Sequence, residues 1–347
     1  MVTQAVEIVY RVLEAKHLKR LALSKVLVKM LKKIITVFGA TGIQGGSVID
    51  ALLNDAECYN IRGVTRSPWS KSAKALAARG VSVIQADLND MTSLTAAVAG
   101  SHAVFAVTDF WGPFKELGQQ RAAVLETAQG INIVTAVLAT LDTLEHFVYS
   151  TLPDAARITS GAVETPHYES KARVKDYIES QPGLCAVTTF VWPGFYASNL
   201  AWDILKPVYL PTAGQYVQLQ GIGEDTPVYC LGDTRANFGI FVRVILARGD
   251  KVRRGKVVFA YMERITLGEL LQRWAQAHGV KAKYVQVDKQ VYDALWPGLG
   301  SEFVMGMEFW DWIKGKENWG EEDVLDWRDL DIDLSGMVNI EKTLSSL

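Results

Sequence analysis

Ile34-Ile35-Thr36-Val37-Phe38-Gly39-Ala40-Thr41-Gly42-Ile43-Gln44-Gly45-Gly46-Ser47-Val48-Ile49-Asp50-Ala51-Leu52 is the stretch that decides the fold. Ile34 to Phe38 form an apolar run that reads as a buried strand, a glycine turn follows, and Ser47 to Leu53 continue at helical spacing. This is a strand, phosphate loop and helix. Gly39 permits the tight turn out of the strand, Gly42 lets the backbone approach a pyrophosphate, and Gly45 lets the helix pack close to the sheet. The helix N-terminus offers free N–H groups to an anion, which makes Thr41, Ile43 and Gln44 candidate contacts with the glycines. Two or three glycines can also serve an empty turn, so the flanking strand and helix and a second strand at Tyr59 to Thr65 carry the dinucleotide reading.

About 20 residues on, where an NAD site places an acidic residue for the ribose 2′-hydroxyl, the chain has Thr65-Arg66-Ser67. That favours NADP(H). Arg66 can stack on adenine and pair with a 2′-phosphate, helped by Lys71 or Lys74; the alternative is a solvated basic turn.

The chain has 347 residues, 49% of them hydrophobic, enough to bury one large core or two unequal domains. A net charge of −2 provides no field for direct nucleic-acid binding. Cys58, Cys185 and Cys230 are far apart and lack metal-ligand spacing, which suits a reducing, cytoplasmic setting with no metal. The longest apolar runs, such as Ile131 to Leu141, are too short to span a bilayer. Residues 1–32 stand apart as a basic amphipathic extension, read as a transit peptide, a surface helix or an extension ahead of the domain.

From residue 33 to about 195, strands and helices alternate, which predicts a doubly wound parallel α/β sheet, a Rossmann fold, with strands at Ile34–Phe38, Tyr59–Thr65, Val81–Ala86, Ala103–Thr108 and His146–Ser150. Its ligand belongs at the carboxyl ends of the strands. Asp87 and Leu88, Thr108 and Asp109, Ser150 and Thr151, and Pro193 and Phe195 sit there. A helix opens at His167-Tyr168-Glu169-Ser170-Lys171, where spacing of four puts His167 and Lys171 on one face. From 196 to 347 the regularity gives way to a smaller α+β lobe rich in tryptophan (202, 274, 296, 310, 312, 319, 327), with Tyr196, Tyr209, Phe303 and Phe309. Pro227–Leu231 and Lys256–Ala260 are expected to return to the large sheet, interleaving the lobes. Val324, Leu325 and Trp327 in the acidic end are expected over the pocket.

Gly39 to Val48, Val64 to Pro68, Ala86-Asp87-Leu88, Phe105 to Trp111, Phe147 to Ser150 and His167 to Lys171 together resemble the NmrA-like family, atypical members of the short-chain dehydrogenase/reductase superfamily. The likeness is strong from about 33 to 200 and weaker to 330. It implies an NADP(H)-binding Rossmann domain with a small substrate lobe. In ordinary members of the superfamily a Tyr-x-x-x-Lys pair moves the proton. Here Lys171 keeps the lysine position, implying contact with the nicotinamide ribose, and His167 takes the tyrosine position. His167 is the leading proton donor, with Tyr168, Glu169 and Glu164 as lesser candidates. The family includes NADP(H)-sensing regulators and enzymes, often of fungal specialised metabolism. The surplus of aromatic residues in the lobe favours an enzyme for a bulky hydrophobic molecule; the alternative is that these rings pack the lobe itself.

Overall fold

The computed structural model describes residues 32–316 and 324–347; the expected basic extension lies outside them, apart from Lys32. Strands β1 (Lys33–Val37), β2 (Tyr59–Thr65), β3 (Ser82–Gln85), β4 (Ala103–Ala106), β5 (His146–Ser150) and β6 (Thr188–Pro193) form the body of the main sheet. It has eight strands in the order β13-β10-β6-β5-β4-β1-β2-β3, where β10 is Lys256–Ala260 and β13 is Val324–Leu325. Each neighbouring pair is parallel. Val37 faces Gly63 on one side and Phe105 on the other, so the order reverses between β1 and β4 and opens a crevice at their carboxyl ends.

Both faces of the sheet are covered, and alternate side chains enter two cores. Val37, Phe105 and Val148 meet Val48 and Ile49 of α1 (Ile43–Leu52), Leu76 of α2 (Lys71–Ala78) and, further along the chain, Phe238 and Phe241. Val104, Phe147 and Tyr149 meet Leu94 of α3 (Met91–Val98), Ile133 and Val134 of α4 (Trp111–Leu138), and Val174 of α5 (Pro166–Glu179). Phe238 and Phe241 belong to α6 (Thr234–Ala247), which docks on α1 so closely that the Gly239 N–H donates to Ser47 Oγ at 2.8 Å. Ser70, Asp90 and Asp233 cap α2, α3 and α6 with their side chains. Helix α1 begins at Gly42 without one.

Several expectations need correction. β4 ends at Ala106, short of the expected Thr108, and the chain passes into α4, which turns sharply at Gly118 (φ 73°). Pro227–Cys230 (β9) does not join the main sheet: the place beside β6 is taken by β10, and β9 pairs antiparallel with Glu263–Thr266 (β11), keeping one bridge to Phe195. Val324 and Leu325 do not cover the pocket; they pair with Val257 and Val258 as the edge strand. The lobe also holds a three-stranded sheet of β7 (Val208–Leu210), β8 (Gln215–Gln220) and β12 (Ala282–Gln286). Helix α7 (Leu267–His278), with a Thr266–Glu269 capping box, and helix α8 (Leu299–Trp312) complete it. No described helix is long and apolar enough to cross a membrane.

Candidate functional site

A cleft of about 1040 Å³ runs along the carboxyl ends of the strands and on between the sheet and α8. The glycine loop forms its first wall. Gly39 has φ +63°, and a Cβ there would press within 2.9 Å of Val107; a Cβ on Gly45 would overlap the Gly39 carbonyl, and one on Gly42 would lie 3.2 Å from it. The loop therefore presents bare backbone to the cleft, and the first amides of α1 have no side-chain cap. This cradle fits the pyrophosphate of a dinucleotide.

Of the expected cofactor residues, Gly39, Thr41, Gly42, Ile43, Gln44, Gly45, Arg66, Asp87, Leu88, Thr108, Asp109, Lys171, Pro193 and Phe195 all line the cleft, as do Ser150 and Thr151. Lys71 does not: it opens α2 as an exposed residue outside the lining. Two carboxylates have local duties. Asp87 accepts from the Asn89 amide at 2.9 Å, and Asp109 accepts from the amides of Trp111 and Gly112 at 3.1 and 3.2 Å, starting α4.

Lys171 and His167 face the cleft one turn apart, each tied to a buried glutamate absent from the sequence reading. Lys171 Nζ donates to Glu126 Oε1 at 2.5 Å, to Thr108 Oγ1 at 3.1 Å and to the Thr108 carbonyl at 3.2 Å. An ammonium has three protons, so a bond to ribose requires exchanging one of these acceptors. Glu126 also accepts from Thr108 at 2.8 Å and from Ser170, and is fully buried. A sequence signal existed. Ala122, Glu126, Gly130 and Ile133 form one buried stripe of α4, and a charge there demands partners. Glu302 on α8 accepts from the His167 amide at 2.9 Å, and the same oxygen lies 2.5 Å from His167 Nδ1. Helix α8 is apolar nearly all round, so nothing in the sequence marked Glu302.

Of the lesser proton candidates, Tyr168 lines the cleft and Glu169 and Glu164 do not. Tyr168 is buried, its oxygen accepts from Trp310 Nε1 at 3.0 Å, and burial pushes its hydroxyl well above the ordinary tyrosine range. Glu169 accepts from the Ala156 amide on a neighbouring loop helix, and burial raises its carboxyl. Glu164 is exposed and outside the cleft.

The far half of the cleft is aromatic. Phe110, Trp111, Tyr196, Trp202, Phe303 and Trp310 line it with Met307. His167 packs within it, 4.9 Å from the Trp111 ring and 4.6 Å from Tyr168. Tyr196 accepts from Gln44 Nε2 at 2.8 Å, and burial pushes its hydroxyl up to about 12. Other aromatics of the lobe pack the lobe itself: Trp274 against Tyr216, Trp296 against Tyr292, Tyr209 against Tyr216 on an exposed strand, and Phe309 in the core. Trp327 packs with the core beside the sheet edge, and Trp319 lies outside the described residues. No cluster of three metal-ligating side chains occurs among the described residues.

Comparison with known proteins agrees with this architecture. The model of the NmrA-like family matches residues 31–343. An NmrA-like family domain-containing oxidoreductase, hkm9 of Aspergillus hancockii, is 27% identical over 266 residues, covering 73% of this chain and 74% of its own. The crystal structure of NmrA, a negative transcriptional regulator in complex with NAD, superposes with a TM-score of 0.70 at 22% identity, over 91% of this chain and 95% of its own. Triphenylmethane reductase of Citrobacter sp., complexed with NADP(H), gives 0.62 at 19% identity, over 90% and 99%. The two structural likenesses are likenesses of fold.

Proposed function

The chain belongs to the NmrA-like family, and from that premise we propose that it is an NADP(H)-dependent oxidoreductase acting on a bulky hydrophobic small molecule of specialised metabolism. The observation that carries this is one cleft whose glycine-loop half suits a dinucleotide and whose other half is an aromatic box with His167 packed among its rings. The relative named as an oxidoreductase supports it.

The loop amides and α1 N-terminus would hold the pyrophosphate, Arg66 the 2′-phosphate, and Asp87 with Leu88 the adenine side. Pro193 and Phe195 would border the nicotinamide end. Bound NADPH supplies a hydride to a carbonyl or iminium carbon, and its reversible exchange would accommodate a cyclisation without net redox change. His167 Nε2 supplies or takes the proton at the substrate heteroatom. The rings of Trp111, Trp202 and Trp310 orient an apolar substrate and keep water from it. Lys171, spent on Glu126 and Thr108, shapes the cleft floor and reaches ribose only by releasing one of them.

One observation favours a second reading, an NADP(H)-sensing regulator without turnover. The tyrosine of the usual proton pair is absent and its lysine is already engaged. Anaerobic incubation with NADPH and a host-cell metabolite extract, followed by mass spectrometry, separates the two: a converted compound is expected, and none would leave the sensor reading. Calorimetric titration should show NADPH binding more tightly than NADH. Arg66→Ala should weaken NADPH by about 1–3 kcal/mol and NADH little; tighter NADH binding by the native protein would refute the assignment.

A further inference from the structure

We propose that Glu302 is the positioning residue of the proton donor, fixing His167 as the Nδ1–H tautomer with Nε2 presented to the substrate half of the cleft. This rests on the reading of His167 as the group that moves the proton.

Glu302 Oε1 lies 2.5 Å from His167 Nδ1 and 2.9 Å from the His167 amide nitrogen. An ionised carboxylate only accepts, so the proton of that bond sits on Nδ1 and Nε2 keeps its lone pair when the ring is neutral. The ring cannot swing away easily. Phe110 and Trp111 lie on one side at centroid distances of 5.6 and 4.9 Å, Tyr168 meets its edge at 4.6 Å, and a Cβ added to Gly306 would come within 3.2 Å of Cε1. A side chain at 306 would press on the imidazole, and glycine there gives it room.

The second oxygen of Glu302 is the further clue. Its side chain is fully buried, and Oε2 has no hydrogen-bond partner among the described residues. A carboxylate kept for lobe packing alone would be expected to satisfy both oxygens, because a buried, unpaired polar atom is costly. Here the carboxylate meets only His167, at Nδ1 and at the amide nitrogen. Glu302 does not line the cleft, so it acts through His167 and not on the substrate. Were a carbonyl carbon to take the hydride of NADPH, oxidising it to NADP+, the C=O π bond would break and the oxygen would take the proton from Nε2 of the doubly protonated ring, leaving the neutral Nδ1–H form on Glu302. The ring keeps Nδ1–H on Glu302 and recovers an Nε2 proton from solvent. His167 belongs to α5 and Glu302 to α8, so the pair exists only where the two lobes meet.

The test uses the full chain labelled with ¹⁵N-histidine, with His167→Asn to assign the signal, in long-range ¹H–¹⁵N spectra of the neutral ring. Native protein should show Nδ1–H for His167, with and without NADPH. Glu302→Leu should revert to the Nε2–H form that free imidazole side chains prefer, and Glu302→Gln, close in shape and able to accept, guards against loss of fold. Once an extract compound is found to turn over, Glu302→Leu should lower kcat on the order of 10²-fold, with the NADPH KM unchanged and Glu302→Gln, which can still accept from Nδ1–H, partly restoring kcat. Nε2–H in the native spectrum, or a spectrum indifferent to Glu302→Leu, overturns the proposal. Nδ1–H lost in Glu302→Leu, with no compound converted, upholds the pairing and rejects the enzyme reading instead.

Discussion

Lys171 and Glu126 show how a residue can be found while its partners stay hidden. The helical spacing of His167 and Lys171 was legible, and both do face the cleft. The partners of Lys171 were not, since Thr108 is 63 positions away and Glu126 is 45. Breaking a buried ion pair leaves an uncompensated charge, so Glu126→Leu should cost about 3–5 kcal/mol, read as a lower urea midpoint. Lys171→Met combined with Glu126→Leu should recover most of that; a double variant as unstable as the single would show that the pair is not the unit. His146 gives a pH prediction. It is buried against Thr189 Oγ1 at 2.8 Å, and burial, with the nearby Arg253 charge, pushes it down to about 3. The unfolded chain binds the proton near pH 6.5 and the folded chain resists it, so the unfolded state carries more protons between those values and stability falls as pH falls through them. The loss approaches about 1.4 kcal/mol per pH unit for this group. Melting curves from pH 7 to 4 should be steeper for the native protein than for His146→Gln, and parallel curves would reject the assignment.

Among the elements, the glycine loop was the most legible, because each glycine answers a steric demand within a few residues: a positive φ at Gly39 and close backbone at Gly45. Gly239 answers a demand the sequence could not display. A Cβ there would overlap the Ser47 carbonyl across the α1–α6 contact, and the glycine amide donates to Ser47 Oγ. Gly239→Ala should therefore force the two helices apart, costing about 1–3 kcal/mol or more. Because α1 opens at the glycine loop proposed to hold the pyrophosphate, NADPH binding should weaken as well. Unchanged melting and unchanged NADPH affinity would mean that the helices separate without strain. The strand β9 was misassigned for a related reason. Its composition suits any sheet, and only the prior occupation of the place beside β6 by β10 sends it to β11.

At the scale of the molecule, the first core strand begins at Lys33, which pairs with Tyr59, and Ile35 already lies between β2 and β4. Removing residues 1–31 is therefore expected to leave the NADPH-induced rise in melting temperature intact, with the melting point itself moving by a few degrees at most. A collapse of either would show that the extension packs on the core. The sequence by itself determined what local periodicity and steric demand encode: the alternation of strand and helix, the parallel sheet that alternation requires, the glycine loop between β1 and α1, Arg66 in place of an acidic residue, and the helix face bearing His167 and Lys171. Tertiary structure alone decided the edge of the sheet, where Val324 and Leu325 close it, and which aromatics reach the cleft. It also decided that each of the two key side chains is held by a glutamate from another helix. The physical reason is that burial and ion pairing depend on which surfaces meet, and surfaces such as those of His167 and Glu302, 135 residues apart, meet only when the lobes close on one another.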